Sequence, residues 1–411
     1  MNEKEIINRV NYLDALRGIG AVQVLLLHFL SSFAPKLVHA WPAEGTLAAI
    51  IRASPLFFLY DGTSAVYMFF TLSGYVLTVG FAGSIASFGN LVVRRVIRLS
   101  VPILASAAFA SAMFMMFAGA NIGAGQLVGS DFLSAAWQPS SSTWFVTDAI
   151  VNGLLVGYRD VSPSLWVGVE NSRLPSIMTS LNSPLWTMPI EFYGSILIFL
   201  FIRQNKFSNL ITRIFWLVVF FIFIRTPMVC FLAGSVAARY RLASIRPVVH
   251  RIVPPGAIIA GLFLTNRSDF WTAGILKAVC QLDSPIILPC LVNPMFLQKE
   301  IGAMLIVFGI TQSLTVRTWL NNPRLHILGR ISFPLYLVHW PILYGLSSYL
   351  LILTAPRIGL VSAQIAALGV GILVSIAAAM AFMRVDRLAM TWSRRYGTRT
   401  EPHVLPRHGD V

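Results

Sequence analysis

Long apolar stretches, separated by short polar groups, run through most of the chain. The first extends from about Ala15 to Ala34, and about 20 helical residues at 1.5 Å each can cross the roughly 30 Å apolar core of a bilayer. The pattern therefore predicts an all-α, polytopic membrane helix bundle of about ten transmembrane helices. The other nine stretches lie at about residues 57–81, 99–119, 185–202, 214–224, 226–238, 252–265, 300–316, 331–353 and 359–383.

The positions of the basic residues predict how these helices are oriented. With the N-terminus in the cytoplasm, 22 of the 31 Lys and Arg residues fall on the inner side and 9 on the outer side. This ratio agrees with the excess of basic residues in cytoplasmic loops, so we expect both termini to be cytoplasmic.

Three parts of the chain depart from a plain series of crossings. Residues 214–238 are too short for two ordinary crossings, so we expect two short or tilted helices, or a re-entrant hairpin, turning near Arg225-Thr226-Pro227. Residues 120–183 are rich in Gly, Ser and Pro and predict a large outer loop, with an amphipathic helix around Trp144–Leu155. We expect a single transmembrane domain over 1–383 and a basic cytoplasmic tail over 384–411, disordered beyond about Tyr396 and lying on anionic lipid.

Composition excludes several classes of protein. Hydrophobic residues make up 56% of the chain and charged residues 11%, against roughly 25% charged in an ordinary soluble domain. The net charge is +15, but the basic residues lie between apolar stretches rather than on one face, so we expect no nucleic-acid partner. Three scattered cysteines are too few for a zinc site or a disulfide scaffold, although Cys280 and Cys290 could pair in an oxidising compartment.

Ionisable residues inside the predicted spans need an explanation, because each costs on the order of 2.5–3.5 kcal/mol on insertion scales. Arg17 and His28 are eleven residues apart, which returns to nearly the same helix face about 16 Å further along. Asp14 shares that face. The plainer interpretation is an Arg that extends to the bilayer surface and a His packed with its hydrogen bonds satisfied.

A second group precedes the third span. Arg95 and Arg98 share a helix face, and two guanidinium groups so placed suit phosphate binding. The alternative is that they only flank the span on its cytoplasmic side.

Two further motifs carry ionisable residues. Glu191 follows Leu185-Trp186-Thr187 in the next span, where it could be a base, an orienter of His28 or the partner of an Arg. Tyr336 and His339 share a face of the ninth span, for which an interfacial tyrosine and a satisfied His are the alternative.

The motifs as an ordered set resemble the integral-membrane acyltransferase-3 family. The sequence has no GxSxG, P-loop, HExxH or H-x4-D motif, so serine-hydrolase, ATPase, zinc-protease and soluble glycerolipid-acyltransferase chemistry have no support. The matching segments occur in the family's order: Leu13-Asp14-Ala15-Leu16-Arg17-Gly18, Arg17-x10-His28, Phe70-Thr71-Leu72-Ser73-Gly74-Tyr75, Arg95-x-x-Arg98, Leu185-Trp186-Thr187 with Glu191, and Leu328-Gly329-Arg330-Ile331-Ser332 leading to Tyr336 and His339. The chain departs from the family pattern at the compressed residues 214–238 and at Pro334, where a small or polar residue is more usual.

The resemblance implies transfer of an acyl group, most simply acetyl, from cytoplasmic acyl-CoA, with no bound cofactor and no metal. Arg95 and Arg98, with Arg17, would hold the donor phosphates, and His28 would act as general base or transient acyl carrier. Glu191 would orient His28 or the acceptor. Supporting roles, including hydrogen bonds to a developing oxyanion, would fall to Asp14, Ser73, Tyr75, Trp186, Tyr336 and His339.

The expected acceptor is a hydroxyl of a cell-envelope or exported glycan or glycolipid, at a bacterial inner membrane. O-antigen, exopolysaccharide, peptidoglycan and secreted glycolipid all stay open, as does the oligomeric state. Two rival hypotheses are a secondary transporter with a His/Glu relay, and a non-catalytic membrane scaffold. The transporter predicts related halves, and residues 1–200 and 201–411 show no correspondence.

Overall fold

A computed structural model describes residues 3–39, 46–81, 86–139, 145–159, 174–204, 210–224, 226–239, 247–266 and 294–400. Within these ranges the protein is all-helical and contains no β-strand. The helices in chain order are α1 (Glu3–Phe33), α2 (Pro35–His39), α3 (Leu47–Ala53), α4 (Gly62–Phe81), α5 (Phe88–Phe117), α6 (Ala120–Val128), α7 (Asp131–Ala135), α8 (Phe145–Thr147), α9 (Thr187–Gln204), α10 (Leu210–Phe223), α11 (Met228–Arg239), α12 (Pro247–Asn266), α13 (Pro294–Gln312), α14 (Leu314–Leu320), α15 (Pro323–Pro341), α16 (Ser348–Ile358) and α17 (Leu360–Thr400). Short 3-10 turns lie at Pro55–Tyr60, Ile177–Thr179 and Ser183–Trp186, and π-helical segments at Asp148–Val156 and Ile342–Ser347.

Six of the described helical segments are long and apolar enough to cross a membrane, and a seventh is reached if α13 and α14, bent by 90° at their junction, form one span. The protein is therefore a multi-pass membrane protein. All ten predicted apolar stretches coincide with helices, but three of them are short: α10, α11 and the apolar part of α12. The six long segments are Asn11–Phe33, Gly62–Phe81, Phe88–Phe117, Ser183–Gln204, Pro323–Ile358 and Leu360–Gly397.

Helix ends follow local capping chemistry. The Ser87 hydroxyl accepts from the Asn90 N–H at the start of α5, at 3.3 Å. Asn322 caps α15 in the same manner, with Pro323 in the first turn, where its missing N–H costs nothing. These caps fix where the segments that carry Arg95 and His339 begin.

The compressed region contains two short helices, an arrangement that fits either of the two predicted alternatives. α10 ends at Phe223 and α11 begins at Met228, so the chain turns over residues 224–227, as predicted; Arg225 itself lies outside the described residues. α11 packs against α4 so closely that Gly74 lies on the Phe231 backbone and Gly234 on the Thr71 carbonyl. A Cβ at either glycine would collide with the neighbouring helix.

α1 and α15 run side by side in the same direction. A Cβ on Gly18 would lie 2.5 Å from the carbonyl carbon of Leu328, and Gly329 lies against the backbone of Asp14. Ten residues separate Gly18 from His28, and ten separate Gly329 from His339. Two parallel helices that touch at the glycines therefore bring the two histidines to the same level.

Part of the predicted outer loop enters the bundle. The predicted helix around Trp144–Leu155 corresponds in the described residues to α8 and the π-helix Asp148–Val156, and Trp144 lies outside them. This helical segment packs on α5 and α9, and its Asp148 is buried. The Asp148 carboxylate accepts from the Leu181 N–H at 3.0 Å and from the Tyr158 hydroxyl at 2.9 Å. Burial raises the pKa of Asp148, and these donors oppose the shift. The contacts hold the segment before α9 inside the helix bundle.

α17 runs to Thr400, four residues past the point at which we expected order to end. The Ser393 hydroxyl donates to the Arg94 carbonyl at 2.9 Å, and Asp386 pairs with Arg98, so the polar end of α17 is fastened to α5. Residues 401–411 of the predicted tail lie outside the described residues, as do Cys280 and Cys290. Cys230 is a buried free thiol.

Candidate active site

A cavity opens between α1, α4, α5, α9 and α15, with about 90 Å³ of room for water-sized molecules. That is space for several waters or for one end of a larger ligand. The polar side chains of its wall come from five separate motifs of the sequence and include Arg17, Ser73, Arg95, Arg98, Glu191 and Tyr336.

The arginines of this cavity already have carboxylate neighbours. Arg95 forms an ion pair with Glu191, whose Oε1 also accepts from the Ser73 hydroxyl at 2.7 Å. Arg98 donates to Asp386 of α17 at 2.5 Å.

Arg17 lies 3.9 Å from Asp14, and both of these side chains are 39% exposed. Three arginines thus face three carboxylates, and the cluster is formally neutral as it stands. An anion that enters would compete with these carboxylates for the guanidinium N–H groups, or share the groups with them.

A pair of histidines lies at the other end of α1. His28 Nδ1 is 2.8 Å from His339 Nε2, and the two ring planes are within 3° of each other. His339 is 1% exposed, and its Nδ1 lies 3.0 Å from the Leu335 carbonyl oxygen. His28 is half-buried, and the Trp340 ring lies nearly perpendicular to its ring, at 5.0 Å between ring centroids. One imidazole is therefore accessible and the other is fixed inside the bundle.

Tyr336 connects the cavity to the histidine pair. Its ring lines the cavity and lies 6.0 Å from the His339 ring, one turn further along α15. Its hydroxyl donates to the Pro184 carbonyl at 2.8 Å and lies 2.9 Å from Thr187 Oγ1. The segment that enters the bundle before α9 thus fixes the wall between the two sites.

Two buried hydrogen bonds support α15 at the Leu337 carbonyl, between Tyr336 and His339. Pro341 has no N–H to donate to the carbonyl four residues earlier, which is that of Leu337. Ser106 Oγ and Asn182 Nδ2 donate to this oxygen instead, at 2.9 and 2.7 Å. The break that proline makes in the helix is therefore filled by α5 and by the segment before α9.

Comparison with known sequences identifies the class of this site. A family model described as an acyltransferase domain matches residues 10–383, which is nearly the whole chain. The chain belongs to this acyltransferase family. The resemblance predicted from the ordered motifs is confirmed, and every residue of the cavity wall named above lies inside the matched region.

A curated relative of the acyltransferase gives a more distant comparison. The chain is 23% identical over 381 residues to O-acetyltransferase PaAT-1 of Phomopsis amygdali, covering 83% of this chain and 73% of that protein. No solved structure matches the chain.

The structure places the predicted site residues of the acyltransferase in two groups. Those of the cavity are Arg17, Ser73, Arg95, Arg98, Glu191 and Tyr336, with Asp14 beside Arg17. His28 and His339 form the second group. Tyr75 and Trp186 are partly buried against the hydrophobic core. Among the described residues, no group of three or more His, Cys, Asp or Glu side chains is placed to hold a metal ion.

The contacts of the free protein bear on two predicted roles. The Glu191 carboxylate is held by Arg95 and Ser73, which is the arrangement expected of the partner of an Arg. Three of the donors expected at an oxyanion already have protein acceptors: Ser73 donates to Glu191, Tyr336 to Pro184 and His339 Nδ1 to Leu335. An oxyanion would have to compete with these acceptors, and both roles stay predictions.

Sequence reasoning missed Asp386 and Asn182. Asp386 lies between Arg384 and Arg387, in a stretch interpreted only as a basic tail, although a lone carboxylate among arginines at the end of a span is itself a signal for an ion pair. Asn182 lay in the predicted outer loop, and no local pattern marks it as buried. Asn182 donates to the Leu337 carbonyl, and this carbonyl lacks a helical donor only because of Pro341, which lies 159 residues after Asn182.

Proposed function

We propose that this acyltransferase moves an acyl group, most simply acetyl, from cytoplasmic acyl-CoA to a hydroxyl of a cell-envelope or exported glycan or glycolipid. The observation that carries the proposal is the arrangement of one arginine-lined cavity and one half-buried imidazole on the same face of α1. Arg17 and His28 are eleven residues apart, about 16 Å along the helix. The name of the Phomopsis relative, an O-acetyltransferase, supports acetyl as the group and oxygen as its acceptor atom.

The donor is a polyanion with a long flexible arm. Arg95 and Arg98 would bind its phosphates, since planar guanidinium groups offer several N–H donors in a fixed geometry. Because Glu191 and Asp386 hold these groups in the free protein, the phosphates would replace or share carboxylate contacts. The thioester arm would then extend along α1, past Tyr336, toward His28.

His28 would be the general base. Its imidazole takes the proton of the acceptor hydroxyl while the hydroxyl oxygen forms a bond to the thioester carbonyl carbon. The carbon–sulfur bond of the resulting tetrahedral species then breaks, and the departing thiolate takes the proton from the imidazolium. The products are the ester and free CoA, and His28 returns to its neutral form.

The remaining assignments concern the membrane. We propose that the arginine cavity faces the cytoplasm, with both termini on that side, because basic residues concentrate there. The protein would lie in a bacterial inner membrane, with the acceptor approaching His28 from the outer side. Residues 384–400 of α17 carry five arginines, which would lie near anionic lipid headgroups.

The experiment follows the acyl group directly. Wild type, His28→Ala and His39→Ala are purified in lipid and given radiolabelled acetyl-CoA with crude envelope glycans, and label in polymer is measured together with released CoA. His39 is exposed and lies outside the site, so it is the matched histidine control. We expect transfer by wild type and His39→Ala and none by His28→Ala. Label transfer by His28→Ala would refute the assignment of His28 as the base. If wild type neither binds nor turns over any acyl-CoA, the proposed function is refuted and a transport assay is the next experiment.

A further inference from the structure

The hydrogen bonds of His339 define which of its nitrogens carries a proton. Nδ1 lies 3.0 Å from the Leu335 carbonyl oxygen, one turn back in α15. A carbonyl oxygen can only accept, so Nδ1 must donate. A neutral imidazole carries one N–H, and His339 Nε2 is therefore an acceptor.

The same reasoning assigns the proton of His28. Its Nδ1 lies 2.8 Å from His339 Nε2, and since that nitrogen accepts, His28 Nδ1 must carry the hydrogen. The proton-free nitrogen of neutral His28 is then Nε2. This is the nitrogen that points away from His339, on the imidazole that is only half-buried.

The ring geometry suits a strong hydrogen bond. The ring centroids are 5.1 Å apart and the bonded nitrogens are 2.8 Å apart. The difference is about the sum of the two distances from a ring centroid to its nitrogen, so both nitrogens lie close to the line that joins the centroids. With 3° between the planes, the donor hydrogen and the acceptor lone pair lie in the plane of both rings. Trp340 against His28 and the burial of His339 limit rotation of either ring.

We propose that His339 is a positioning residue that holds His28 in its Nδ1–H form and so presents Nε2 as the base. In a Ser-His-Asp triad a carboxylate has this task, orienting the imidazole and stabilising the imidazolium that forms. Here a neutral imidazole acts in its place, anchored by a backbone carbonyl. The catalytic part of this inference rests on the proposed function, whereas the position of the proton does not.

The test separates the proton position from activity. Protein labelled with ¹⁵N-histidine in lipid is studied by NMR at a pH where the histidine is neutral, and the His28 signals are assigned by their loss in His28→Ala. Two variants are compared: His339→Gln, whose amide oxygen can accept near the position of Nε2, and His339→Phe, which keeps a ring but has no acceptor. We expect protonated Nδ1 and bare Nε2 at His28 in wild type and in His339→Gln, and a mixture of forms in His339→Phe.

Kinetics give the second readout. We expect kcat to fall on the order of 100-fold or more in His339→Phe, with the KM for acyl-CoA changed less than about threefold, and to stay within about tenfold in His339→Gln. A His28 with protonated Nε2 in wild type would overturn the proposal, as would equal kcat values in the two variants. If His339→Phe does not fold, the wild-type spectrum still decides. The expected spectrum without any acyl transfer by wild type would refute the proposed function and leave the proton assignment standing.

Discussion

Arg98 Nη1 lies 2.5 Å from Asp386 Oδ1, and this contact joins the start of α5 to the polar end of α17. The two residues are 288 positions apart, and the side chain of Asp386 is 12% exposed. A carboxylate so placed competes with any phosphate that approaches Arg98. The C-terminal helix thus holds one of the arginines that line the proposed donor site.

The first prediction concerns this competition. Asp386→Asn removes the negative charge and keeps an oxygen acceptor for Arg98, so acyl-CoA phosphates no longer displace a carboxylate. We expect the KM for acyl-CoA to fall roughly 3- to 10-fold, which corresponds to about 0.6–1.4 kcal/mol. Steady-state kinetics would measure this KM, and Asp131→Asn is the control because Asp131 is exposed. An increased KM would mean that Asp386 orders Arg98 for binding instead of competing for it.

The second prediction separates two roles of Glu191. If Glu191 only holds Arg95, Glu191→Gln still offers an oxygen to Arg95 and Ser73 and should retain at least about a tenth of wild-type kcat. Loss of a general base typically costs about 100- to 10,000-fold. A fall in kcat of that size in Glu191→Gln, with normal donor binding, would return Glu191 to the chemistry.

The third prediction tests the support of α15. Asn182→Ala removes one of two donors to the Leu337 carbonyl, a buried group whose helical donor is absent at Pro341. We expect a loss of about 1–2 kcal/mol of stability, seen as a lower Tm in lipid. Ser111→Ala is the control, because the Ser111 hydroxyl bonds only to its own helix, at the Ala107 carbonyl. Equal Tm values for the two variants would contradict the account.

The fourth prediction concerns the contact of α1 with α15. Gly18→Ala places a methyl group 2.5 Å from the Leu328 carbonyl carbon, so the helices must separate. Overpacking of this kind costs about 1–3 kcal/mol, and the shift at the histidine pair should lower kcat as well. Gly369→Ala is the control, since nothing lies within 4 Å of a Cβ at that position. An unchanged Tm and kcat in Gly18→Ala would show that the parallel register does not depend on this contact.

Sequence periodicity and composition predicted the relationships between residues that are close together along the chain. The common face of Arg17 and His28, the Arg95 and Arg98 pair and the turn near residues 224–227 all follow from local spacing and composition. The family also followed, because its motifs occur in order along the whole matched region.

Contacts between helices could not be predicted in the same way. The His28–His339 bond depends on the parallel register that Gly18 and Gly329 set, and a glycine in an apolar run does not reveal which helix it touches. Arg95 and Glu191 were each noticed, but spacing along a chain does not report pairing across it. The segment before α9 was predicted to lie in an outer loop because its composition resembles a loop. In the structure the Asp148 carboxylate accepts from the Leu181 N–H, and Asn182 donates to the Leu337 carbonyl, so the segment is held inside the bundle.

The measurement that tests the central claim most directly compares donor binding and acyl transfer in the same variants. Acetyl-CoA binding and label transfer are measured for wild type, His28→Ala, Arg95→Ala with Arg98→Ala, and the exposed Arg357→Ala as control. Our account predicts that His28→Ala binds acetyl-CoA normally and transfers nothing. It also predicts at least about 100-fold weaker binding in the double arginine variant, since charge-assisted contacts contribute roughly 1.5–3 kcal/mol each. Acyl transfer without His28, or unchanged binding without both arginines, would contradict it.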